Sequence, residues 1–115
     1  MLVKKISKER LKMKNILLVC SAGMSTSLLV SKMEKAAEEK GIECNIKAVG
    51  EADVKEYIGK IDVLLLGPQV RFLLSKFKAN LSDKNISVEV INTVDYGTMN
   101  GEKVLERALD LIKNK

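Results

Sequence analysis

Cys20 ends the apolar run Ile16-Leu17-Leu18-Val19 and is followed at once by Ser21-Ala22-Gly23-Met24-Ser25-Thr26-Ser27. An apolar strand thus delivers a thiol to a loop in which four of seven residues carry hydroxyls, one is Gly and one is Ala. Small side chains let the backbone close around an anion, and hydroxyls add donors to its oxygens. Because a helical pattern begins inside the loop, amide groups and the positive end of the helix dipole converge where phosphoryl oxygens would lie. The same convergence favours the ionised sulfur over the thiol. One helix terminus contributes only about 0.3–2 kcal/mol, so direct N–H donation to the sulfur is part of the expectation. A cysteine at the end of a buried strand is more commonly a small core hydrophobe; the loop that follows argues for a nucleophile toward phosphorus at Cys20, with Ser21 to Ser27 as its phosphate-binding loop.

The rest of the chain narrows the chemistry. It contains no histidine, so no Cys–His or Ser–His pair forms within it. Its two cysteines, with 23 residues between them, fit neither the common zinc spacings nor a CxxC pair, and no metal or cofactor is expected. In Cys44-Asn45-Ile46-Lys47-Ala48 the second cysteine alternates with Ile46 and Ala48, which predicts a core position.

Four short strands, at residues 15–20, 43–49, 62–67 and 86–92, must position these groups, with Leu17 to Val19 and Val63 to Leu66 apolar enough to be covered on both faces. Leu29, Met33, Ala36 and Ala37 stripe a helix from Ser25 or Thr26 to Lys40, where Gly41 stops it. Val54, Tyr57 and Ile58 mark a short second helix. Pro68 opens a third, with Val70, Leu73, Leu74, Phe77 and Leu81 on its buried face, and a last helix over residues 101–113 buries Val104, Leu105, Ala108, Leu109 and Ile112. This alternation predicts a single α/β domain: a four-stranded parallel sheet with helices on both faces and right-handed crossovers. Ligands of such sheets sit beyond the carboxyl ends of the strands, where the loop after Cys20 falls. Gln69 and Arg71, just after the third strand, and Tyr96, before the last helix, are expected at the rim of the same edge.

At 115 residues, 46% hydrophobic and 30% charged, the chain suits one globular domain. Its apolar runs are too short to span a bilayer, and no signal-like stretch follows the basic start, so a cytoplasmic location is expected. Of the net charge of +5, residues 1–12 hold +4, in Lys4, Lys5, Lys8, Arg10 and Lys12 against Glu9. These twelve residues read as a basic N-terminal arm before a domain over residues 13–115, and Met13 is a candidate start. The near-neutral remainder, with two Phe, two Tyr and no Trp, argues against nucleic-acid binding.

The runs Leu18-Val19-Cys20-Ser21-Ala22-Gly23-Met24-Ser25-Thr26-Ser27-Leu28-Leu29-Val30, Leu65-Leu66-Gly67-Pro68-Gln69-Val70 and Asp95-Tyr96-Gly97-Thr98-Met99-Asn100-Gly101 together resemble the IIB component of the bacterial sugar phosphotransferase system, lactose/cellobiose class. The resemblance implies a phosphotransferase in which Cys20 takes a phosphoryl group from a phosphohistidine on a IIA partner. It then passes the group to a β-linked disaccharide of the cellobiose, chitobiose or lactose type, which enters through the membrane IIC component. It also implies a cytoplasmic protein that meets the inner face of the membrane transiently through IIC. The implied fold is similar to that of low-molecular-weight tyrosine phosphatases, so the alternative is a phosphatase or arsenate-reductase-like enzyme. Those phosphatases carry Cys-x5-Arg, whereas the sixth position after Cys20 is Thr26. Without that bidentate cation, hydrolysis loses a major source of charge stabilisation, and a carrier's phosphocysteine gains lifetime.

Overall fold

The computed structural model describes residues 13–21 and 24–114. The basic arm, residues 1–12, lies outside them. Four parallel strands, β1 (Lys14–Val19), β2 (Cys44–Val49), β3 (Val63–Leu66) and β4 (Ser87–Val90), form one sheet in the order β2-β1-β3-β4. The α-helices are α1 (Met24–Lys40), α2 (Leu74–Leu81), α3 (Thr93–Gly97) and α4 (Gly101–Lys113). Three 3-10 segments are η1 (Glu51–Glu56), η2 (Ile58–Lys60) and η3 (Pro68–Leu73).

The two central strands alternate their side chains between two cores, as the period of two requires. Ile16, Leu18, Val63 and Leu65 face α1 and α4 through Leu29, Met33, Val104, Leu105 and Ala108. Leu17, Val19, Leu64 and Leu66 face the other layer, where Val54, Val70, Leu73, Phe77 and Leu81 cover them. Each such fully buried Leu or Val contributes roughly 1.5–3 kcal/mol relative to exposure, which is why these strands need no polar face.

The helix α1 ends as its sequence dictates. Gly41 takes φ 69°, its N–H bonds the Glu38 carbonyl at 3.1 Å, and the Ile42 N–H bonds the Ala37 carbonyl at 3.0 Å. Only a residue without Cβ enters that left-handed turn freely, and the two bonds satisfy carbonyls the helix leaves open.

Three expectations need correction. The second helix is two 3-10 turns, η1 and η2. The segment opened by Pro68 is 3-10 up to Leu73, with Val70 off helical geometry at φ −119° and ψ 28°, and becomes α-helical only from Leu74. Cys44 is half-buried rather than core, and Ala48 on the same face is exposed. The cause is topology: β2 is an edge strand, so the helical layer covers only its middle, at Ile46.

Register sets what the carboxyl edge presents. Val19 pairs with Val49 and Leu66, and Leu66 with Val90, so the strands end nearly level. The ladder then closes through Cys20 N–H to the Val49 carbonyl at 3.1 Å, Gly67 N–H to Val19 at 2.9 Å and Ile91 N–H to Leu66 at 2.8 Å. Cys20 and Gly67 thus leave adjacent strands side by side.

Candidate functional site

Cys20 stands one residue beyond β1 and is 5% exposed. Three elements, each starting at this edge, meet beside it through the Tyr96 hydroxyl: the first turn of α1, the η3 segment and α3.

From α1 comes Thr26, 1% exposed, whose Oγ1 lies 3.5 Å from the Tyr96 hydroxyl. From η3 comes Gln69, whose Nε2 donates to the same hydroxyl at 3.0 Å. The Tyr96 hydroxyl is itself 4.0 Å from Cys20 Sγ. A phenol carries one proton and accepts through oxygen. With Gln69 donating to it, Tyr96 keeps its own proton for Thr26, for the sulfur, or for an oxygen held beside that sulfur.

The position of Tyr96 has its own local cause. Asn92 caps α3, its side-chain carbonyl accepting from Val94 N–H at 2.9 Å and Asp95 N–H at 3.0 Å. Asn100 caps α4 in turn, accepting from Lys103 N–H at 3.1 Å, while its own N–H bonds the Asp95 carbonyl at 2.8 Å. Such asparagine caps satisfy helix N–H groups that have no carbonyl partner. The first residue of α4, Gly101, is pressed onto α1: a Cβ there would come within 2.5 Å of the Lys32 carbonyl carbon and 2.7 Å of the Met33 nitrogen. This contact ties the α3–α4 corner, and so Tyr96, to the helix that follows Cys20.

Gly67 is a site residue that the sequence reading passed over. Its backbone is ordinary extended chain, φ −61° and ψ 151°, so the need for glycine is spatial. A Cβ would lie 3.0 Å from Cys20 Sγ and collide with Gln69 Oε1. The only local signal was Gly before Pro68, which reads as a helix start.

The remaining expected residues fall as follows. Ser21 and Ser27 are exposed, and Ser27 is engaged in the structure. Ala22 and Gly23, and the side chains of Met24 and Ser25, lie outside the described residues. Of the three rim residues, Gln69 and Tyr96 meet at the sulfur. Arg71 is exposed, and its Nε donates to the Pro68 carbonyl at 3.1 Å. The sixth position after the cysteine, filled by arginine in the phosphatases, is the buried neutral Thr26, so it supplies no cation. The described side-chain partner of the Cys20 sulfur is the Tyr96 hydroxyl, a dipole rather than a cation.

The family model described as PTS system, Lactose/Cellobiose specific IIB subunit, matches residues 15–107. The PTS system oligo-beta-mannoside-specific EIIB component of Bacillus subtilis (strain 168) is 48% identical over 103 residues, 90% of this chain and 100% of its own. The cellobiose-specific EIIB component of Lactococcus lactis subsp. lactis (strain IL1403) is 45% identical over 104 residues, 86% of this chain and 96% of its own. The solution structure of the cellobiose-specific phosphotransferase IIB component from Borrelia burgdorferi superposes with a TM-score of 0.77 at 49% identity, covering 90% of this chain and 95% of that one. The lactose-specific IIB domain from Streptococcus pneumoniae reaches the same TM-score at 18% identity over 86% and 97% of the two chains, a likeness in fold.

Proposed function

Since the chain belongs to the lactose/cellobiose-specific IIB family of the sugar phosphotransferase system, we propose that Cys20 is the residue that carries its phosphoryl group. The observation that carries this reading is the placement of that thiol: it follows β1, one of the two central strands, at the carboxyl edge of the sheet, with the Tyr96 hydroxyl 4.0 Å from its sulfur.

The transfer has two steps. The Cys20 thiolate attacks phosphorus on a phosphohistidine of the IIA partner; the S–P bond forms as the N–P bond breaks, and that electron pair returns to the imidazole. A hydroxyl of the incoming sugar then attacks phosphorus and gives up its proton to solvent, the S–P bond breaks, and its electron pair returns to sulfur to regenerate the thiolate. The amides of residues 21–27 and the start of α1 hold the phosphoryl oxygens in both steps, and the Tyr96 hydroxyl donates to one of them. Gln69 orients that hydroxyl, and Thr26 packs against it. The donor is a partner protein rather than a free metabolite, and Phe72 and Val94, large apolar residues left exposed on η3 and α3 at the same edge, suit a protein contact there.

The relatives named for oligo-β-mannoside and cellobiose support a β-linked disaccharide as the acceptor, delivered by the membrane IIC component. Among the described residues no helix is long and apolar enough to cross a membrane, which accords with a cytoplasmic protein that meets the membrane only through IIC. The absence of an arginine six residues after Cys20 weighs against the phosphatase and arsenate-reductase alternative.

The test is phosphorylation by a phosphorylated IIA protein, followed by intact mass and peptide mapping. One phosphoryl group is expected on Cys20, stable in acid and released by iodine. Cys20→Ser should abolish acceptance and Cys44→Ser should leave it intact; phosphate mapped to Cys44 would overturn the assignment. Rapid multiple-turnover hydrolysis of an aryl phosphate by the wild-type chain, lost in Cys20→Ser, would favour the phosphatase instead.

A further inference from the structure

At the amino edge of the sheet, opposite Cys20, a groove of about 710 Å³ runs between the last turns of α1 and the start of β2. Ala37, Ile42 and Cys44 give it an apolar lining, and Glu34, Glu38 and Glu43 border it. None of these three carboxylates has an ion-pair partner among the described residues. Lys35 within the groove and Lys14 beside Cys44 offset part of the negative charge. Met13, 44% exposed, also lines the groove, and it is the residue at which the chain arrives from residues 1–12.

That segment is Met1-Leu2-Val3-Lys4-Lys5-Ile6-Ser7-Lys8-Glu9-Arg10-Leu11-Lys12: five cations, one anion and the apolar Leu2, Val3, Ile6 and Leu11. We infer that the groove is the docking site of this chain's own residues 1–12, with basic side chains toward Glu34, Glu38 and Glu43 and apolar ones over Ile42 and Cys44. Three observations combine here: opposite charge, an apolar lining beside the charged border, and attachment at the groove itself. Twelve residues can span at most about 40–43 Å, while Glu34 to Glu38 span about 6 Å of helix. A tether this short holds the segment at an effective concentration of order millimolar, so a weak complementary contact suffices to keep it seated. Docked there, it leaves the Cys20 edge open.

Cys44 reports the contact. In a Cys20→Ser chain it is the only thiol, and its rate of alkylation by N-ethylmaleimide measures how often the groove is open. An arm seated about four-fifths of the time slows labelling about fivefold relative to a chain beginning at Met13, whose described core is unchanged. The difference should shrink at roughly 0.5 M salt, where charges are screened over a few ångströms. In the full chain, Lys4→Glu with Lys5→Glu and Lys8→Glu should label as fast as the shortened one. Removing or reversing cations makes the reactive thiolate scarcer, so acceleration in either variant reports uncovering and not a change in the sulfur. Equal rates in the full and shortened chains would overturn the inference. So would protection that appears only as protein concentration rises, since a second copy would then be the occupant.

Discussion

Replacing Tyr96 by Phe removes one oxygen and keeps the ring, and the structure says what that oxygen does. It accepts from Gln69 Nε2 at 3.0 Å, lies 3.5 Å from Thr26 Oγ1 and stands 4.0 Å from Cys20 Sγ. If the hydroxyl only joins neutral groups, its loss costs about 0.5–1.5 kcal/mol, or roughly 2- to 13-fold in rate. If it donates to a charged phosphoryl oxygen, the relevant range is about 1.5–3 kcal/mol, or roughly 13- to 160-fold. Tyr96 is half-buried and its site opens to solvent, so screening places the expected loss at about 10- to 100-fold. The assay is single-turnover transfer from a phosphorylated IIA protein, quenched in acid and read by intact mass. Stability should fall only modestly, because exposed Gln69 rebinds water while buried Thr26 loses a long 3.5 Å contact; a melting temperature within several degrees of wild type is the control. Gln69→Ala should lose less, about 2- to 5-fold, since it acts through the phenol. A Tyr96→Phe chain that transfers within twofold of wild type, with unchanged melting, would refute the role assigned to this hydroxyl and leave Tyr96 as packing.

Gly67→Ala puts a methyl 3.0 Å from Cys20 Sγ and displaces Gln69, so transfer should fall by up to about 100-fold, with circular dichroism melts showing only a small stability change. Gly101→Ala drives a methyl into the backbone of Lys32 and Met33; overpacking of about 1–3 kcal/mol, less the up to about 1 kcal/mol that Ala gains over Gly in a helix, predicts net destabilisation by urea unfolding. Transfer in that variant should weaken only as far as the α3–α4 corner shifts. Burial pushes the Cys44 thiol up, with Lys14 opposing, so its alkylation in a Cys20→Ser chain should have a midpoint above that of an exposed cysteine. The linked sign follows: between the unfolded and folded titration points the unfolded chain has lost the proton and the folded one has kept it, so this group's stability contribution, full below the unfolded value, declines as pH rises through that window. Cys44→Ala should flatten that part of the stability–pH curve.

Much of this protein is written locally. The apolar runs at Leu17 to Val19 and Val63 to Leu66, the helix stripes and the Gly41 stop carry their structure in side-chain periodicity and backbone freedom, which a linear reading captures. The proposal of Cys20 with the small hydroxyl residues after it rests on the same kind of signal, since it needs only neighbours along the chain. Neighbours from distant segments are another matter. Gly67 reads as punctuation before Pro68, yet its lack of a side chain matters because strand order sets it beside a sulfur 47 positions earlier. Tyr96 is one of two tyrosines in the sequence, and the Asn92 and Asn100 caps together with the Gly101 contact aim it at Cys20. Thr26 looks like one more loop hydroxyl until the fold buries it against Tyr96. Cys44 alternates with apolar residues as a core strand would, but the sheet order leaves β2 at an edge, where the same pattern is half covered. Periodicity sees which face of an element is apolar; only the assembled sheet determines how much of that face is covered, and by which residues.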